Sequence, residues 1–138
     1  MNARSRLFLG LWCGALIAGA ARPASTAAPE KLKLSLRAAP SRGTPSTVFV
    51  FQALLTGGED NEGLYCLSTE WAWEEQADAS INESECPPFK AGETRVERSF
   101  SEEQSFRRTG THVVRVVLRK GDKELASAST SVVVWQAR

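Results

Sequence analysis

The residues with most chemistry to offer lie between Tyr65 and Phe89. Cys66 and Cys86 stand twenty positions apart, and Trp71 and Trp73 flank a single alanine. Acids fill much of the rest, including Glu74, Glu75, Asp78, Glu83 and Glu85. From Glu59 to Phe89 there are nine acidic residues and no lysine or arginine; from Lys90 onward basic residues outnumber acidic ones. Such a stretch offers three readings: a solvated acidic loop, a Ca²⁺ site built from carboxylates and carbonyls, or a docking surface for a basic partner. The regular aspartate spacing of an EF-hand is absent, so the Ca²⁺ reading is the weaker one and no other cofactor is expected. Two sulfurs and one histidine without CxxC spacing do not make a zinc site.

Catalysis asks for a nucleophile with a base, paired acids or a metal. His112 is the sole histidine and sits in an apolar run, where it reads as structural. There is no G-x-S-x-G, no phosphate loop and no dinucleotide glycine pattern. Glu70 and Glu74 are the nearest thing to a glycosidase pair, in a chain where acids are common. The expectation is a protein that is not an enzyme.

The elements that must position these residues read as strands. Leu32, Leu34 and Leu36 alternate with polar residues, the mark of a half-buried strand. Pro40, Gly43 and Pro45 end it in a turn. Thr47 to Leu55 is continuously apolar and reads as a central strand, stopped by Gly57-Gly58. Leu67 to Trp73 is the tryptophan strand. Trp71 and Trp73 share one face of it, while Glu70, Ala72 and Glu74 take the other. Glu74 to Glu85 reads as loop with a short strand near Ile81, and Pro87-Pro88 cannot enter a central strand. Thr94 to Phe100 alternates weakly with Val96 inside. Ser101 to Arg108 reads as a polar crossing segment with one helical turn, anchored inward by Phe106. His112–Arg119 and Glu124–Trp135 form a hairpin across Lys120-Gly121-Asp122-Lys123. On the return strand Ala126, Ala128, Thr130, Val132 and Val134 share a face. About seven short strands without an amphipathic helix predict an all-β sandwich.

The N-terminus has the charged, apolar, small-residue order of a secretory signal: Arg4 and Arg6, then Leu7 to Ala20, then small residues. The apolar run is too short for a bilayer core of roughly 30 Å. Cleavage is expected after Ala20 or Ala27, so residues 1–27 are signal and leader and 28–138 a single domain. Cys13 lies in the removed part. Export favours a Cys66–Cys86 disulfide. Without Arg4 and Arg6 the chain carries 15 basic and 16 acidic side chains. That balance suggests neither nucleic acid nor a polybasic membrane contact, and no membrane span remains once the signal is gone.

With these elements in place the chain resembles the PKD domains, which have an immunoglobulin-like fold. Pro40-Ser-Arg-Gly-Thr-Pro-Ser-Thr-Val-Phe-Val-Phe51 is similar to their opening turn and apolar strand. Trp71-Ala-Trp73 resembles the start of their Trp-x-Phe-Gly-Asp-Gly, with Glu74-Glu75-Gln76 where Gly-Asp-Gly would stand. Phe106 to Leu118 resembles their aromatic, short gap and Gly-x-Tyr-x-Val-x-Leu, with His112 in place of the tyrosine. Ser131 to Trp135 resembles the closing strand. The resemblance runs from Leu32 to Trp135. It implies an immunoglobulin-like sandwich with Trp71 and Trp73 as a buried pair, and a module that binds a protein or glycan outside the cytoplasm. A structural spacer and an enzyme inhibitor or unrecognised hydrolase are the alternatives.

Overall fold

The computed structural model describes residues 31–74, 80–83 and 85–138. The signal and leader therefore lie outside the described residues, as do Glu75 and Asp78. Eight strands are present: β1 (Lys33–Ala39), β2 (Arg42–Gly43), β3 (Phe49–Thr56), β4 (Ser68–Trp73), β5 (Ser80–Asn82), β6 (Ser99–Gln104), β7 (Gly110–Lys120) and β8 (Lys123–Val134). They form two sheets, β1-β3-β6 and β2-β8-β7-β4-β5. Neighbours pair antiparallel, except that β2 runs parallel to β8.

The core lies between the sheets and follows from strand alternation. Leu34 and Leu36 point inward from β1, and Phe49, Phe51, Ala53 and Leu55 from β3. Trp71 and Trp73 face them from β4, Val114, Val116 and Leu118 from β7, and Val132 and Val134 from β8. Phe106, between β6 and β7, is fully buried. The aromatic rings form a continuous chain. Trp71 stacks on Trp73 with centroids 5.6 Å apart, Trp73 meets Phe51 at 5.4 Å, and Phe51 meets Phe106 edge-on at 6.3 Å. Offset and edge contacts of this kind add to the area term of burial.

Three expectations change and one holds. The turn after β1 contains β2: the chain leaves the first sheet at Ala39 and joins the second beside Val133 and Val134. A two-residue parallel contact leaves no periodic signal. The Thr47–Leu55 run supplies the central strand expected of it, β3 between β1 and β6, buried on one face with Val48, Val50 and Leu54 exposed on the other. Continuous hydrophobicity there does not mean burial on both faces. Only the last two residues of Thr94–Phe100 are strand, and Ser101–Gln104 continues that strand instead of turning helically. Register with β3, from Phe49↔Gln104 to Leu54↔Ser99, holds this polar segment extended as a sheet edge. The strand count becomes eight.

Candidate functional site

Around the acidic stretch the structure separates a scaffold from a surface. Cys66 and Cys86 are bonded, with Cα atoms 5.9 Å apart. Cys66 comes just before β4 and Cys86 follows β5, so the bridge lies at the Ser68/Asn82 end of the β4–β5 pair. Three register pairs, Thr69↔Asn82, Glu70↔Ile81 and Trp71↔Ser80, hold β5 to the sheet. Ile81 is 61% exposed, so little apolar burial helps. Tyr65 rests on Phe89 with centroids 5.5 Å apart and donates its hydroxyl to the Pro87 carbonyl at 2.6 Å, fixing the segment around the bridge.

The acids expected to recognise a partner do not act alike. The Glu74 carboxylate accepts a hydrogen bond from the Val113 N–H at 2.7 Å, which latches the end of β4 to β7. Glu83 and Glu85 are exposed. Glu75 and Asp78 fall outside the described residues. Among the described residues no three His, Cys, Asp or Glu side chains converge as metal ligands would. Glu70 is half-buried in an ion pair with Arg119 at 2.8 Å. His112, in the strand interior, stacks on Phe106 with centroids 4.6 Å apart, and its Nε2 lies 2.8 Å from the Arg108 carbonyl. The same ring sits where the resembled motif has tyrosine, and it closes the β6–β7 corner by packing and one hydrogen bond.

The aromatic pair is not a ligand platform. Trp71 is 1% exposed and Trp73 is also buried. Trp135 is the one tryptophan of the described residues that reaches solvent substantially.

Among the described residues a cleft of about 550 Å³ lies open at the foot of the sandwich, where β1 begins and the β7–β8 hairpin turns. Leu32, Leu64 and Leu125 give it an apolar floor; Lys120 and Lys123 stand on one rim and Glu59 on another. No sequence period could show it, because three separate segments supply the floor. Leu125 reaches it through a register shift: Leu118 pairs with Ala126 but Arg119 with Glu124, so Leu125 is an extra residue in the ladder, as in a β-bulge. Lys120 donates to the Tyr65 carbonyl, and its ammonium sits 5.9 Å from the Tyr65 ring centroid. That contact fixes one cation at the mouth. The opposite wall is held by Arg98, which donates to the Gly57 carbonyl at 2.7 Å and pairs with Asp60 at 2.5 Å.

Gly58 sets the shape of this wall. Its φ is +68°, and a Cβ there would meet Leu32 at 2.8 Å. Gly58→Ala is expected to cost about 1–3 kcal/mol, from the left-handed backbone and the displaced leucine together. Urea unfolding of the variant checks this; a loss below half a kcal/mol would show the wall to be pliant.

No family model matches the chain, and no curated protein matches it. Solved structures do. A CARDB domain of a Pyrococcus furiosus protein, crystallised in complex with di-metal ions, is 8% identical with a TM-score of 0.53, over 79% of this chain and 96% of that one. A PKD domain of an M14-like peptidase from a Thermoplasmatales archaeon is 14% identical with a TM-score of 0.52, over 78% of this chain and 96% of that one. At such identities the likeness concerns the fold, and it matches what the strands and register already give: the chain is a small β-sandwich of PKD-like, immunoglobulin-like fold.

Proposed function

We propose that the protein is an exported, non-catalytic module that binds a partner protein outside the cytoplasm. The observation that carries this reading is the open apolar cleft with lysines on its rim, on a domain whose aromatic pair is turned inward. Glycan binding by stacking on the tryptophan pair would need exposed ring faces, which Trp71 and Trp73 do not offer; among the described tryptophans Trp135 alone is exposed. A protein segment needs an apolar seat with polar groups around it, which the cleft has. The disulfide favours an oxidising compartment, and the signal-like N-terminus supports export. A structure of the same fold is the PKD domain of an M14-like peptidase, which supports an accessory role beside another protein.

Two measurements test the proposal. N-terminal sequencing and intact mass of the exported protein are expected to show a start at Ala21 or Ala28; a cytosolic protein that keeps Met1 removes the export half. Lysine cross-linking in the exported fraction, read by mass spectrometry, is expected to join the domain to one recurrent protein. A domain that cross-links to nothing in stoichiometric amount is a spacer instead.

A further inference from the structure

The outer face of the three-stranded sheet is apolar along its middle. Val50 and Leu54 point outward from β3, and Val48 stands just before it; they are 39%, 48% and 55% exposed. These are three of the six large apolar side chains exposed among the described residues, and they follow one strand. Scattered surface apolar residues need no cause, but a contiguous row of them does. The polar side chains of the same face are turned along the sheet. Ser35 Oγ donates to the Leu54 carbonyl at 3.4 Å, Gln52 Nε2 to Ser99 Oγ at 3.3 Å, and Thr56 Oγ1 to the Lys33 carbonyl at 3.3 Å. Covering the face therefore leaves few polar groups without partners. A shallow hollow of about 220 Å³ lies among Ser35, Arg37, Gln52 and Leu54, open to an aliphatic side chain from outside. The two margins of the face differ in charge. β1 presents Lys33 and Arg37, and β6 presents Glu103. None of these three has an ion-pair partner among the described residues.

We infer that this face is where two copies of the chain meet, with β1 of each copy lying over β6 of the other. The inference does not rest on the partner protein proposed above. A two-fold axis parallel to β3 gives this arrangement, and the interface is then self-complementary. The other face-to-face axis, across the strands, stacks β1 on β1 and β6 on β6, which sets like charges together. Register places Arg37 in the row Arg37↔Gln52↔Ser101 and Glu103 in the next, Ala39↔Val50↔Glu103. Across the interface Arg37 therefore stands one row, about 7 Å along the strand, from Glu103 of the second copy. Stacked sheets lie about 10 Å apart, so the two long side chains can join, and symmetry makes the contact twice. Val50 and Leu54 of the two copies meet along the axis between these pairs. The sheet face measures roughly 14 by 27 Å at ordinary strand spacing and rise. That puts the dimer at the low end of specific interfaces, below about 1,200 Å² in total, and it should exchange with monomer at micromolar concentration.

Sedimentation velocity of the mature protein, over about 1 µM to 1 mM, tests this and is expected to show monomer passing to dimer. Leu54→Glu is expected to weaken the dimer by about tenfold or more, with an unchanged circular-dichroism spectrum, because it buries a charge in the middle of the face. Arg37→Glu and Glu103→Arg should each weaken it by about tenfold, and the double variant Arg37→Glu/Glu103→Arg should restore it. Mixed together, the two single variants should pair with each other, since each then meets an opposite charge at both margins. Those exposed substitutions leave the core untouched, so the charge arms hold even if Leu54→Glu fails to fold. A monomer throughout the range, a dimer indifferent to Leu54→Glu, or a double variant no better than either single one each overturns the interface. A monomer in which the Leu54 methyls contact residues 28–30 overturns it equally, since the chain's own leader would then occupy the face.

Discussion

Trp71→Ala is expected to remove about 3–5 kcal/mol of stability, the range for truncating a buried tryptophan. Trp71 is among the largest fully buried side chains and lies parallel to Trp73, with 5° between the ring planes. Deleting the indole removes its transfer free energy and leaves a void. Its neighbours cannot fill that void cheaply, because Trp73, Phe51 and Phe106 are locked in a chain of ring contacts. Domains of this size commonly hold about 5–15 kcal/mol in total, so the loss is a large fraction of the whole. Urea unfolding of wild type and variant gives the number. Iodide quenching of the native mature protein gives an independent check: the Trp135 emission should be quenched while that of Trp71 and Trp73 persists. A stability loss under 1 kcal/mol, or equal quenching of all indoles, contradicts this arrangement.

Loss of the bridge comes next in size. The Cys66→Ser/Cys86→Ser double variant is expected to lose roughly 3 kcal/mol, the chain-entropy effect of closing a loop of about twenty residues. The circular-dichroism spectrum should stay β, because the ring-lined core owes nothing to the sulfurs. The local effect should be uneven. β5 is held by three register pairs and the bridge, and each of its residues is exposed. Its amides should therefore exchange with deuterium far faster in the double variant, while those of β7 should slow or speed only with global stability. A double variant that melts like the wild type would mean that the β4–β5 pairs alone hold the hairpin.

The parts of the fold that could be read from sequence are those where alternation and burial agree. The β7–β8 hairpin has Gly121-Asp122 as its two-residue connection, and Trp71-Ala-Trp73 puts both indoles inward. Other parts depend on partners that sequence periodicity does not contain. Ser99–Gln104 is polar, and becomes a strand because β3 offers it an edge. Arg42–Gly43 is too short for any period, and exists as a strand through β8. Val50 and Leu54 lie in an apolar run yet are exposed, since no layer of the described residues covers the outer face of the three-stranded sheet. The site was least legible of all. The acids drew attention by composition, but Glu74 serves the fold through the Val113 N–H. The cleft is made of leucines from β1's approach, the 3-10 turn at Glu62–Leu64 and the bulge in β8. Only topology brings those three together.

The change of sheet between β1 and β2 also has a mechanical side. The chain enters the sandwich at the foot, by Leu32, runs upward through β1 and β2, and leaves at the head beyond β8, which runs the same way. Tension along the polypeptide would pull β2 toward the foot and β8 toward the head. Two parallel strands drawn in opposite directions slide against each other, so the bonds from Val133 to Ser41 and from Trp135 to Gly43 take load together. A hairpin opened from its end would lose them singly. Resistance to force is governed by the rate of unfolding, and here the load from the foot reaches the two β2–β8 register pairs through β1, which seven pairs hold to β3. Once β2 slips, the outward amides of Val133 and Trp135 lose their partners. A stretched domain would thus uncover, at its head, a piece of strand edge that a relaxed one keeps paired.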